Sequence, residues 1–82
     1  MSSTDKAKQH YNRGVELEEQ GKLEEAVSDY RAAIDSQPDC AEYRNDLGSA
    51  LWALERREEA LAEYAKAAQI EPQRQVLLKS AS

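Results

Sequence analysis

The chain has 82 residues, a formal charge of −5, 33% charged residues and no Phe. A chain of this length forms at most one small domain, which buries only ~60% of the surface it exposes when unfolded. The acidic balance argues against nucleic acid or an anionic membrane surface as the partner, because phosphate groups need clustered Lys and Arg. Three Gly and two Pro are too few for a turn-rich all-β protein.

The lone cysteine, Cys40, has no partner for an intrachain disulfide, which fits a reducing compartment. The opening MSSTDKAKQHYNRG holds no apolar segment of the secretory kind. No run approaches the ~20 apolar residues of a membrane span. These features set the expectation of a cytoplasmic chain.

Taken in order, the sequence predicts four helices at about 5–20, 23–36, 40–54 and 57–70, and a short fifth at about 73–80. Thr4 or Asp5 is positioned to cap the first, and Gly21 to end it. Leu23, Ala26, Val27, Tyr30, Ala33 and Ile34 fall at helical spacing and make the second amphipathic. Pro38 closes it. Asp39 and Glu42 then have the spacing of a capping box for the third helix, whose stripe is Leu47, Leu51 and Leu54. Ala60, Leu61, Tyr64, Ala67 and Ala68 repeat the stripe of the second helix in the fourth.

That echo is a repeat. Residues 7–40 align without a gap on residues 41–74, and nine of the 34 columns are identical. They are Ala7/Ala41, Gly14/Gly48, Leu17/Leu51, Glu24/Glu58, Glu25/Glu59, Ala26/Ala60, Tyr30/Tyr64, Ala33/Ala67 and Pro38/Pro72. Glycine inside a helix costs ~1 kcal/mol against alanine. Meeting that cost twice in one column predicts a close helix approach at Gly14 and Gly48. Ala26 and Ala60 are expected opposite, with Tyr30 and Tyr64 as buried wedges between helices.

These columns resemble the tetratricopeptide repeat, a helix–turn–helix unit of 34 residues. The resemblance covers residues 7–74. Its small, large, Ala, aromatic, Ala and Pro positions are met by Gly14, Leu17, Ala26, Tyr30, Ala33 and Pro38, and again by Gly48, Leu51, Ala60, Tyr64, Ala67 and Pro72. It implies an all-α array of antiparallel helix hairpins in a single domain of two repeats, with residues 73–80 as a capping helix. The chain departs from the family where an aromatic is usual, at His10 and Arg44. Arg13 and Glu16 also stand where repeat two has Leu47 and Ala50. Charges at positions that pack on a preceding repeat make repeat one read as an N-terminal cap. The first turn has Gly21 and the second Glu55, so the second is expected to be strained or differently shaped.

No catalytic, cofactor or metal constellation stands out. His10 and Cys40 read as a surface imidazole and a half-buried thiol, and Glu18-Glu19, Glu24-Glu25 and Glu58-Glu59 as solvated helix faces. The resemblance implies non-catalytic protein binding through the inner helices. The face so implied presents Lys8, Tyr11, Asn12, Val15, Glu18 and Glu19, then Glu42, Asn45, Asp46, Ser49 and Trp52. It is acidic with an apolar floor and suits a peptide or helix with basic and apolar residues. Trp52 has two readings, a cover over the base of the C-terminal helix or a ligand contact. The family's carboxylate clamp for the acidic tails of heat-shock chaperones uses Lys, Asn and Arg. The matching positions here carry Tyr11, Val15, Asp46, Val76 and Ser80, so clamp function is not expected. Val76, Leu77 and Leu78 form an apolar patch on a short last helix. They set the expectation of a homodimer or of a longer solenoid that supplies the missing cover.

Overall fold

A computed structural model of the chain describes residues 3–70. Among them it is all-α, with helices α1 (Ser3–Glu19), α2 (Leu23–Ser36), α3 (Ala41–Ala53) and α4 (Arg57–Ile70). α1 packs on α2 and α3 on α4 as two helix hairpins, and α2 packs on α3 to join them. The short fifth helix expected at 73–80 lies outside the described residues.

Three local expectations are corrected. Thr4 and Asp5 sit inside α1 rather than capping it, because the helix already includes Ser3. The capping box does not form. Cys40 is the N-cap of α3 and makes no side-chain cap bond. Asp39 therefore lies one residue too far out, and the third helical position is Tyr43 rather than Glu42. The second turn has the same shape as the first. After α1, Lys22 N–H donates to Leu17 C=O (2.8 Å) and Gly21 N–H to Glu18 C=O (3.0 Å). After α3, Arg56 N–H donates to Leu51 C=O and Glu55 N–H to Trp52 C=O, both at 2.9 Å. Both are Schellman motifs, which need a left-handed residue. Gly21 supplies it at φ 81°, and Glu55 is forced to φ 65°. The strain at Glu55 is thus real, and the shape is unchanged.

The glycine column works by close approach, though not to the alanines. A Cβ on Gly14 would stand 2.6 Å from Tyr30 Cε1, and one on Gly48 2.8 Å from Tyr64 Cε1. The ring edges occupy the space that a methyl group would take, while Ala26 and Ala60 are buried in the core. Tyr30 is fully buried and donates from its hydroxyl to Glu18 Oε1 at 2.6 Å. Tyr64 was expected to be equally buried. It is only half-buried, and its hydroxyl meets Ser49 Oγ at 3.3 Å. The reason is coverage: α2 is packed by both α1 and α3, whereas among the described helices α4 is packed chiefly by α3 alone.

At the junction between hairpins, Leu47, Ala50 and Leu51 of α3 are buried with Val27 and Ile34 of α2. Arg13 and Glu16, in the columns of Leu47 and Ala50, are exposed. Arg56 to Glu24 (2.8 Å) and Arg31 to Glu59 (3.2 Å) cross the rim of the same junction. Such exposed pairs contribute at most ~1 kcal/mol each, so the apolar contacts carry the stacking.

Three outcomes follow from these contacts. Glu55→Gly removes left-handed strain of ~1–2 kcal/mol and adds ~0.4–1 kcal/mol of unfolded-state entropy, so chemical denaturation is expected to show a net gain of up to about 1 kcal/mol. Gly14→Ala is expected to lower the melting temperature, because the buried Tyr30 ring has nowhere to move and overpacking costs ~1–3 kcal/mol. Gly48→Ala is expected to cost less, since the half-exposed Tyr64 ring is free to shift; equal losses at the two sites would contradict this account. Burial, then the Glu18 carboxylate, pushes the Tyr30 phenol above its ordinary value. An acid whose pKa is raised by folding stabilises the fold below its unfolded pKa, here ~10, and loses that contribution as pH rises further. Denaturant midpoints are therefore expected to hold up to about pH 10 and fall above it, with the tyrosinate absorbance lagging behind that of free tyrosine.

Candidate functional site

The α1/α3 face is built from residues on two neighbouring helices. Tyr11 of α1 ties them together. Its ring stacks on Tyr43 of α3 at 4.8 Å between centroids and 28°, and lies 5.9 Å from the Tyr30 ring. Its phenol lies beside the Asp46 carboxylate. Burial, then that carboxylate, raises the Tyr11 phenol well above its ordinary value. Burial also raises Tyr43. All three phenols therefore stay protonated near neutral pH, and Tyr30 donates to a carboxylate.

The result is a floor of three aromatic rings bordered by two half-buried carboxylates, Glu18 and Asp46. Glu18 accepts a hydrogen bond from the Tyr30 hydroxyl, and Asp46 lies beside the Tyr11 phenol. Val15 is half-buried against the core beside them. Lys8, Asn12 and Glu19 of α1 and Glu42, Asn45 and Ser49 of α3 are exposed. Trp52 stands apart. It is 47% exposed, and the Arg57 guanidinium lies over its ring at 5.5 Å from the centroid. Six residues of α-helix separate it from Asp46, a rotation of about 120°. Trp52 therefore leans towards the α4 end rather than over the carboxylates. The structure brings together Tyr11, Glu18 and Asp46, and it does not bring Trp52 to them.

Two features were missed by sequence reasoning. Tyr43 stacks on Tyr11, although its column holds Gln9 in repeat one and so carries no repeat signal. The second is a pair of equivalent contacts between a basic and an acidic side chain, one between the helices of each hairpin. His10 Nδ1 meets Asp29 Oδ1 at 3.2 Å, and Arg44 Nη1 meets Glu63 Oε1 at 3.1 Å. The signal was available: a basic residue replaces the usual aromatic in each repeat, and an acidic one follows nineteen positions later in both. Arg44 and Glu63 border a cleft of about 290 Å³ with Arg31, Ile34, Asp35, Leu47 and Lys66.

Among the described residues, no group of three or more His, Cys, Asp or Glu side chains is placed to hold a metal ion. No described helix is long and apolar enough to cross a membrane. Cys40 is half-buried against the core at the start of α3.

The comparison with curated proteins gives no significant match. The family model described as tetratricopeptide repeat matches residues 11–74, which span most of the chain and all the side chains of the tyrosine floor. Repeats of this kind generally mediate protein–protein interaction and typically lack catalytic activity. With two helix hairpins, Gly–Tyr close approach in both, and this match, the chain belongs to the tetratricopeptide repeat family.

Proposed function

We propose that the α1/α3 face is a non-catalytic docking surface for a peptide or helix that carries Lys or Arg beside apolar residues. The observation behind this reading is the pair of half-buried carboxylates, Glu18 and Asp46, at the edge of the tyrosine floor, with Glu18 held by the buried Tyr30 hydroxyl. A carboxylate fixed by a buried phenol keeps one geometry and loses little freedom when a cation arrives. Lys8 against Glu18, Glu19, Glu42 and Asp46 leaves the face at −3. Its field steers cationic segments and fades within ~8 Å at physiological salt. Tyr11 and Val15 supply apolar contact, and Asn12, Asn45 and Ser49 supply hydrogen bonds along the same two helices. Trp52 takes part as a separate contact at the far end, where its partner is an apolar side chain because Arg57 already lies over its ring.

In this reading residues 7–40 and 41–74 are the two repeats of one domain, completed by a capping helix at 73–80. The chain acts inside the cell on protein partners, without a cofactor, and neither nucleic acid nor membrane is its target. It is not a chaperone carboxylate clamp. Tyr11, Val15 and Asp46 stand where such a clamp places cations and amides, and Asp46 repels an acidic tail.

Titration calorimetry with a lysine-rich amphipathic peptide tests the proposal. The contact area of two repeats is small, so binding of micromolar class is expected, weakening steeply with added salt. Glu42→Lys with Asp46→Lys is expected to abolish it while circular dichroism stays helical. Glu19→Lys with Glu42→Lys, which leaves Asp46 beside Tyr11, is expected to weaken it as well. A peptide ending in Glu-Glu-Val-Asp is expected not to bind. Undiminished binding of the basic peptide by both charge-reversed variants would rule the face out.

A further inference from the structure

The cleft of about 290 Å³ beside the junction of the hairpins has no residue in common with the α1/α3 face. Its charged walls are Arg31 and Asp35 of α2, Arg44 of α3, and Glu63 and Lys66 of α4. Ile34 and Leu47, both buried, give it an apolar floor. Three bases stand against two acids, a surplus of one positive charge in a chain of net charge −5. The cleft at the second turn, lined by residues 55–59, has the reverse balance, with two bases against three acids.

Hydrogen-bond donors are in surplus there too. Glu63 is the buried acid of the cleft and it is shared, with Arg44 Nη1 at 3.1 Å and Lys66 Nζ at 3.8 Å. One carboxylate between two cations leaves one positive charge unmatched. Among the described residues, Arg44 Nη2 has a single long bond, 3.4 Å to the Pro38 carbonyl, and Nε has no partner. Nε is sealed by burial, so the donor of Arg44 open to a ligand is Nη2. Lys66 is exposed and reaches the cleft from α4. Arg31 is held at 3.2 Å by Glu59, which lies outside the lining. Asp35 is exposed, so water and salt screen its charge. Donors to spare above an apolar floor suit a ligand that brings acceptor oxygens on a short apolar stem.

We infer that this cleft is a second binding site, which takes an acidic side chain of a protein partner. The carboxylate sits between Arg44 Nη2 and Lys66, and its methylene groups lie on Ile34 and Leu47. A helix, ~10 Å across, is too wide for a space of about 290 Å³, whereas one side chain fits. A protein is the source because repeats of this family generally mediate protein–protein interaction. The site goes beyond the basic-peptide reading and is independent of it. It is also compatible with a capping helix at 73–80. Such a helix takes the place over α4 that α3 has over α2, on the columns of Val27, Tyr30 and Ile34. Glu63 and Lys66 are in the columns of Asp29 and Ala32, which stay half-buried beneath α3. Val76, Leu77 and Leu78, where the sequence placed self-association, lie outside the described residues.

Nuclear magnetic resonance of the full chain is the test, with the methyl signals of Ile34 and Leu47 as reporters. The probe is the blocked peptide acetyl-Ala-Glu-Leu-amide. It is expected to shift both signals to saturation in the millimolar range. The same peptide with Gln in place of Glu is expected to bind at least ~10-fold more weakly. Lys66→Glu replaces attraction by repulsion and is expected to weaken the acidic peptide by roughly tenfold. Asp35→Asn removes a like charge and is expected to tighten it by about twofold. Both residues are exposed, so circular dichroism is expected to stay helical in both variants. Methyl signals that do not move would overturn the inference, as would equal binding of the Gln peptide or undiminished binding by Lys66→Glu. Propionate that binds as tightly as the peptide would overturn the assignment to a protein partner. Lys66→Glu is expected to leave calorimetry with the basic peptide unchanged, so the two proposals fail separately.

Discussion

The approach of a tyrosine ring edge to a helical glycine sets the spacing on which the rest of this molecule depends. At Gly14 a methyl group would overlap the Tyr30 ring, and at Gly48 the Tyr64 ring. Each hairpin can therefore close only where the first helix has no side chain. Once Tyr30 is seated there, its hydroxyl reaches Glu18 at the rim. Its ring also lies near Tyr11, which in turn stacks on Tyr43 of the next hairpin. One steric constraint inside a hairpin thereby becomes a chain of aromatic contacts between hairpins. The acidic floor of the α1/α3 face is the outer edge of that chain, so its carboxylates are positioned by the core rather than by solvent.

Legibility follows from which properties belong to a column and which to a single residue. α2 has the bounds expected from periodicity, and α4 the expected start, because an apolar stripe and a helix-breaking neighbour are local properties read directly from residue type. Gly14 and Gly48 were legible as close approaches because an unfavourable residue recurs in register. What met them was not: a glycine signals that something comes near without naming it, and the ring edge rather than Ala26 or Ala60 fills the space. Capping was misread at Asp39 and Glu42, because good cap residues one position out of register make no bond. On the site, periodicity assigned Tyr11, Glu18 and Asp46 to the right helices. It could not show that the Tyr11 ring would turn into the floor and stack on Tyr43, since that depends on the packing of α1 against α3.

Two polar contacts show how the chain manages without the aromatic that its family usually has. His10–Asp29 and Arg44–Glu63 join the same two columns, yet their surroundings differ. In the first hairpin the His10 side chain is 43% exposed, while in the second Arg44 and Glu63 are 17% and 11% exposed. A largely buried pair carries a desolvation cost that its attraction scarcely offsets, and here Arg44 Nε has no hydrogen-bond partner. The pair is thus a poor source of net stability. It does make the α3/α4 hairpin selective, because an α4 packed without an acid in reach of Arg44 would strand a buried charge.

Selectivity and stability are therefore divided between different residues at one junction. Leu47, Ala50 and Leu51 supply burial, which is indifferent to register as long as apolar atoms meet. Arg31 with Glu59, and Arg56 with Glu24, supply the register, because charges tolerate few alternatives. The two ends of the array each keep one half of this arrangement. The head has the charges without the apolar seat, in Arg13 and Asp29. The tail has apolar surface without the charge, in Leu61 and Ala65. Two such ends cannot reproduce the junction between them, although they belong to the same repeat. That asymmetry gives the stack a direction.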